Sequence, residues 1–170
     1  FQVLKDIMSS NQKINSLSSS TPITDTPYLT WLADPDPRIH SGMVISSRTK
    51  GIYEIRNLAN QLTSSLAAVD YGVRHLHSAI LLITGNTDSE AIRLFTRGYK
   101  DVEQSIRLEL DHLHLPLAQE VKKDLKKEKQ QDKEIRLVEA NVDYQVDLAA
   151  QRYRERIKAG RLFVVGGVLD

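Results

Sequence analysis

The chain has 170 residues, 41% of them hydrophobic, with 23 basic against 22 acidic side chains and a formal net charge of +1. That length suits one domain with a core of its own, and the balanced charge gives no electrostatic reason to expect nucleic acid or a membrane surface as partner. Cysteine is absent, which excludes a disulfide framework, thiolate metal ligation and a cysteine nucleophile but says nothing of the compartment.

Phe1, Val3, Leu4, Ile7, Met8, Ile14 and Leu17 recur at helical spacing, so residues 1–17 are expected to form an amphipathic helix. Ser16 to Pro27 is rich in Ser, Thr and Pro and reads as a linker. Residues 1–27 are therefore separated, as a docking arm, from a domain over 28–170. The arm must bury its apolar face on its own domain or on a partner subunit. The chain opens on Phe1 rather than Met, so an upstream segment is expected and a targeting peptide stays open. No apolar run approaches the ~20 residues that cross a bilayer. The expectation is a soluble protein of the cytoplasm, or of the interior of an organelle or microcompartment.

Tyr28 to Ala33 is a short apolar run that predicts a buried strand, stopped by Pro35 and Pro37, neither of which can donate to a ladder. Gly51 to Arg56 predicts a second strand. Leu62, Leu66, Val69, Val73 and Leu76 mark one apolar face of a helix over 61–76. Ala79 to Thr84 is continuously apolar, as a parallel strand covered on both faces requires. Strand, helix, strand over 51–84 is a βαβ unit, which implies a parallel sheet and a right-handed crossover. Asp88 is placed to cap the next helix.

Residues 101–136 read as polar and helical, and the charge-dense stretch from Lys122 to Arg136 is best explained as a solvated helix face. Ile135, Val138, Val142, Val146, Ala149, Tyr153 and Ile157 form a long apolar stripe, with Gly160 as its C-terminal stop. Leu162 to Leu169 predicts the last strand. The fold class is α/β, a parallel-core sheet flanked by helices.

In an open parallel sheet, ligands bind beyond the carboxyl ends of the strands. The loop Asp34-Pro35-Asp36-Pro37-Arg38 and the loop Gly85-Asn86-Thr87-Asp88-Ser89-Glu90 both lie there, so Asp34, Asp36, Arg38, Asn86, Asp88 and Ser89 are expected to converge. Asp36 and Arg38 can form a bidentate ion pair. Such a pair can lock the loop, the reading ranked first, or hold a carboxylate oxygen ready to accept a proton.

The order of these motifs resembles the β-class carbonic anhydrases. Members of that family carry Cys-x-Asp-Ser-Arg after one strand, Arg-Asn-Ala-Gly-Asn after the next, a helix with Tyr-Ala-Val, an apolar strand ending in Gly-His-Ser/Thr-Asp-Cys-Gly, an Asn-Val-x-x-Gln-Val helix and a final Gly-x-Leu-x-Val strand. Here Asp34 to Arg38 stands at the first motif, and Arg56-Asn57-Leu58-Ala59-Asn60 at the second. Tyr71-Gly72-Val73 lies in the helix. Gly85 to Ala91 stands at the metal-loop motif, and Asn141 to Val146 and Gly160 to Asp170 complete the series. The resemblance covers residues 28–170. It implies that the family's zinc positions fall at Asp34, Asn86 and Ser89, and that the glycine after the second zinc cysteine falls at Glu90. The Asp–Arg dyad is kept at Asp36 and Arg38, and Asp88 is kept as well.

One carboxylate, one amide and one hydroxyl make a hard, weak donor set, better suited to hydrated Mg²⁺ or Ca²⁺ than to zinc. The resemblance therefore implies a protein with no zinc cofactor and no metal site. Zinc would bring the pKa of a bound water far down, to about 7; without it hydroxide attack on CO₂ loses its nucleophile. The histidines offer no replacement. His75 and His77 sit at the far end of a helix, His112 and His114 form an i, i+2 pair pointing to different faces, and only His40 is near the first loop.

The expected function is a non-catalytic structural, regulatory or anion-binding relative. It would be a homodimer or higher oligomer, with the arm laid over the partner and a small anion such as bicarbonate on Arg38. One alternative keeps CO₂ or bicarbonate chemistry without metal, with Asp36 as base and Arg38 holding bicarbonate. Another uses Asp34 and Asp36 as in the Mg²⁺-dependent haloacid-dehalogenase-like phosphatases, but the late acidic motif such an enzyme needs is reduced to Asp170.

Overall fold

The structure, a computed structural model, describes Gln2, Val3, Lys5 and residues 26–44, 51–123 and 129–170. The expected helix over 1–17 and its linker fall mostly outside the described residues. Four strands, β1 (Leu29–Ala33), β2 (Ile52–Arg56), β3 (Ile80–Asn86) and β4 (Phe163–Leu169), form one wholly parallel sheet in the order β2-β1-β3-β4. The helical segments are α1 (Ser41–Val44), α2 (Leu66–Asp70), α3 (Glu90–Arg97), α4 (Gln104–Asp111), α5 (His114–Lys122), α6 (Gln130–Arg152) and α7 (Arg154–Lys158).

All of β1 is buried, because it lies between two neighbours and is covered on both faces. Its side chains alternate. Leu32 joins a core with Val69, Leu81 and Tyr153, while Leu29, Trp31 and Ala33 pack on the other face. The predicted βαβ strands are parallel but not adjacent, since β1 separates β2 from β3. β3 runs on past the expected end at Thr84, because β4 continues to pair with it as far as Asn86 opposite Leu169. Gly85 and Asn86 are thus strand residues. Gly85 has no room for a side chain: a Cβ there would lie 2.5 Å from Val138 of α6.

The single helix expected over 61–76 is broken up. Tight turns at Leu58–Asn60 and Thr63–Ser65 precede α2, and a wide turn over Tyr71–His75 follows it. Gly72 lets the last of these pack closely on β1, for a Cβ there would strike the Thr30 side chain. The turns before α2 are held from outside. Asn57 donates to the Gln61 carbonyl at 2.7 Å and accepts from the Gln61 amide at 2.7 Å, and Gln145 accepts from the Leu62 amide at 2.9 Å. Asn141 donates to the Ala59 carbonyl at 2.8 Å and accepts from Gln145 at 3.1 Å. Ala59 is thereby kept at φ 57°, a left-handed conformation unfavourable to any residue with a Cβ.

Asn141 and Gln145 are buried amid the apolar stripe of α6. Replacing Asn141 by Leu keeps its size but strips the Ala59 carbonyl and the Gln145 amide of their partner. Urea unfolding of Asn141→Leu is expected to show a loss of about 2–3 kcal/mol. The stripe also bends: α6 stops at Arg152 and α7 resumes after Tyr153, whose hydroxyl donates to Asp70 at 2.9 Å. Gly160 ends the run at φ 65°.

The region expected to be one polar helical stretch is divided into α4, α5 and the start of α6. Leu110, Leu113 and Leu117 are fully buried where α4 meets α5, and residues 124–128 lie outside the described residues. No helix among the described residues is long and apolar enough to cross a membrane.

Candidate functional site

β1 and β3 are neighbours and parallel, so the loops leaving Ala33 and Asn86 emerge side by side. Side chains join them. Asn86 Nδ2 donates to Asp36 Oδ2 at 2.5 Å, and Ser89 Oγ donates to Asp34 Oδ2. The structure thus brings together Asp34, Asp36, Arg38, Asn86, Asp88 and Ser89.

Asp34 is 6% exposed. Its Oδ1 accepts from the Ala59 amide at 3.1 Å, a bond that depends on the left-handed turn at Ala59. Burial pushes its pKa up, and the bonds from Ser89 and Ala59 only partly offset that. A carboxyl raised in the folded state favours the protonated fold, so its ionisation lowers stability as pH rises from the ordinary carboxylate range through the raised value. Urea midpoints of Asp34→Asn relative to wild type are therefore expected to improve from pH 4 to pH 7. A constant difference across that range would contradict the assignment.

Ser89 caps α3, accepting from the Ile92 amide at 3.4 Å. This corrects the expectation that Asp88 is the cap. Asp88 turns instead toward two guanidinium groups, where charge pairing outweighs a single capping bond.

Asp36 and Arg38 form the expected bidentate pair: Arg38 Nε donates to Oδ1 at 3.0 Å and Nη2 to Oδ2 at 2.6 Å, with the Arg38 amide adding 2.8 Å to Oδ1. The bond from Arg38 dominates, and it holds the Asp36 carboxyl down at about 2. That value suits a charged anchor rather than a base working near neutrality. Arg38 Nη2 also lies 2.6 Å from Asp88 Oδ2, and Asp88 Oδ1 pairs with Arg93. Arg93 in turn reaches Glu90 at 3.2 Å and Glu134 of α6 at 3.6 Å. Alternating charges therefore run without a gap from Asp36 to Glu134.

Arg93, Glu134 and Arg56 were missed by sequence reasoning. Arg56 donates to the Asp36 carbonyl at 2.8 Å and the Ile39 carbonyl at 2.6 Å, and its guanidinium stands 5.3 Å from the Trp31 ring. Its place at the end of β2, beside Ala33 in register, was the available signal. Glu134 offered none, because it comes from a helix remote in sequence.

An open cavity of about 780 Å³ lies against Asp36, Arg38, Asn86, Asp88, Arg93 and Glu134, a size that admits small ligands. A smaller one, about 260 Å³, touches Asp34, Ser89 and Glu90. None of the five histidines lines either cavity. Among the described residues, no three His, Asp or Glu side chains are grouped to hold a metal ion. The donors at positions 34, 86 and 89 are moreover spoken for. Asp34 is occupied by Ser89 and Ala59, and the Asn86 oxygen accepts from the Asp88 amide at 3.1 Å. A carboxylate, an amide and a hydroxyl so engaged do not fit zinc.

A family model described as carbonic anhydrase matches residues 29–170. Among solved structures, a tetrameric β-carbonic anhydrase of the filamentous ascomycete Sordaria macrospora superposes with a TM-score of 0.82 at 16% identity, over 100% of this chain and 93% of that one. The β-carbonic anhydrase CafA of Aspergillus fumigatus gives 0.74 at 20% identity, over 99% and 81%. The carbonic anhydrase of Streptococcus mutans gives 0.61 at 14%, over 98% and 91%. No curated protein matches the chain significantly.

Proposed function

The chain belongs to the β-carbonic anhydrase family, and we propose that it is a member whose zinc centre has been replaced by a hydrogen-bonded lock, leaving an anion-binding or structural role in place of CO₂ hydration. The observation that carries this reading is the bond from Ser89 Oγ to Asp34 Oδ2. In the family's pattern both positions are zinc thiolates; here they satisfy each other. Asn86, at the histidine position, spends its amide on Asp36.

The same geometry disfavours the alternatives. A metal-free hydration would need Asp36 to accept a proton near neutral pH, and Arg38 and Asn86 hold it at about 2. A Mg²⁺ phosphohydrolase would need Asp34 free to attack, and it is buried and bonded to Ser89 and Ala59. Bicarbonate remains compatible with the larger cavity, where Arg38 and Arg93 supply donors.

Stopped-flow CO₂ hydration tests the reading. The chain is expected to run no faster than buffer at pH 7.5, before and after chelation. A rate above buffer that survives chelation and is abolished in Asp36→Asn would establish the metal-free route instead.

The protein is further proposed to be a homodimer or a multiple of one, with residues 1–27 as the arm laid on the partner. The tetramer in the Sordaria relative's description and the exposed Phe163 and Val165 on the edge strand β4 support this. Light scattering is expected to give two chains or a multiple; a monomer at micromolar concentration would exclude it.

A further inference from the structure

A further cavity, about 530 Å³, lies between the turn at Gly98–Lys100 and α4. It shares no lining residue with the site at Asp36 and Arg38. Its walls carry Tyr99, Lys100, Gln104, Arg107, Leu108 and His114, with Asp111 as the sole acid.

That acid is engaged. The Tyr99 hydroxyl donates to Asp111 Oδ1 at 2.7 Å, and the Tyr99 hydroxyl oxygen lies 2.7 Å from His114 Nε2. A phenol has one proton, and Asp111 receives it, so Nε2 of His114 must carry a hydrogen and donate it to Tyr99. The three groups form one directed chain, His114 to Tyr99 to Asp111. Rings stiffen it: Phe95 stacks on Tyr99 with centroids 6.0 Å apart and meets His114 edge-on at 5.0 Å.

The cations beside this chain have no such partner. Neither Lys100 nor Arg107 makes an ion pair among the described residues. Arg107 Nη1 does donate to the Lys100 carbonyl at 3.4 Å, which keeps the guanidinium next to the lysine's own backbone. Two cations against one carboxylate, an amide at Gln104 and an apolar wall at Leu108, which is 57% exposed, leave this lining with an excess of positive charge.

We propose that this cavity is a second ligand site that takes a small organic oxyanion, a phosphate ester or a carboxylate with a short apolar body. Arg107 and Lys100 hold the oxyanion, the planar fork and the point charge that such groups call for, and Leu108 covers the body. Tyr99 acts as a positioning residue, keeping Asp111 from pairing with the two cations. The inference stands apart from the proposed role of the first pocket.

Isothermal titration of the full chain at low ionic strength, with phenyl phosphate, benzoate and inorganic phosphate as probes, tests it. Phenyl phosphate or benzoate is expected to bind saturably, one per chain, and more tightly than inorganic phosphate. Arg107→Gln and Lys100→Gln are each expected to weaken binding by about tenfold or more. Tyr99→Phe should weaken it too, by freeing Asp111 to take the cations, while Arg161→Gln, at an exposed position in neither cavity, leaves it unaltered; thermal melts show that each variant folds. Comparing the two aromatic probes tells a phosphate site from a carboxylate site. Absence of saturation, or binding that survives both Arg107→Gln and Lys100→Gln, overturns the proposal. So does binding lost in Arg38→Gln, which would place the probe in the first pocket.

Discussion

The triple variant Asp34→Cys, Asn86→His, Ser89→Cys is expected to hold one zinc ion per chain tightly enough to survive dialysis, where the wild type holds none. The expectation rests on placement. The ends of β1 and β3 fix the three positions beside one another, and the side chains of Asp34 and Ser89 already touch. Two thiolates and an imidazole there supply the soft donors of a tetrahedral site, with Zn–S near 2.3 Å and Zn–N near 2.0–2.1 Å in general. The gain in zinc affinity is expected to be large, of the order of the ~10 kcal/mol or more that structural zinc sites provide. Equilibrium competition against a chromophoric chelator measures it. Failure of the variant to bind, with its fold intact, would mean that the pocket has been rebuilt beyond its ligands, with Glu90 and the Arg93 network the first places to look.

The second large effect is expected from Arg93→Met. Arg93 stands among Asp88, Glu90 and Glu134, and Glu134 is only 7% exposed. Removing the guanidinium takes the cation from Glu90 and from the nearly buried Glu134, while Asp88 keeps Arg38. The cost of stranding a fully buried charge is about 3–5 kcal/mol; partial exposure of Arg93 lowers the expectation here to about 2–3 kcal/mol. Adding Glu134→Gln should restore part of the loss, since the stranded buried charge goes with it. If the two substitutions simply add, the chain of ion pairs is not a unit. Equilibrium urea unfolding of the single and double variants decides.

Much of this was legible in the residues. The short apolar run at Tyr28 to Ala33 and the continuous one at Ala79 to Thr84 announce buried strands, and a parallel sheet places its site beyond their ends. Asp36 and Arg38 could be paired because their partners lie two positions apart. The rest escaped for definite reasons. The broken helix before α2 depends on Asn141 and Gln145, which act from α6 more than 80 residues away in sequence. The cap at Ser89 rather than Asp88 depends on Arg38 and Arg93 competing for Asp88. Arg93 reads as one more surface charge until Glu134 is set beside it. Local pattern reports what a segment buries; it does not report which distant polar group will hold it.

Zinc content tests the proposed lock at Asp34 and Ser89 most directly. The chain, expressed with zinc in the medium, purified and dialysed extensively, is expected to carry essentially none by elemental analysis, and to melt at the same temperature with and without added zinc. One equivalent of zinc per chain, or a zinc-dependent rise in melting temperature at micromolar metal, would contradict it.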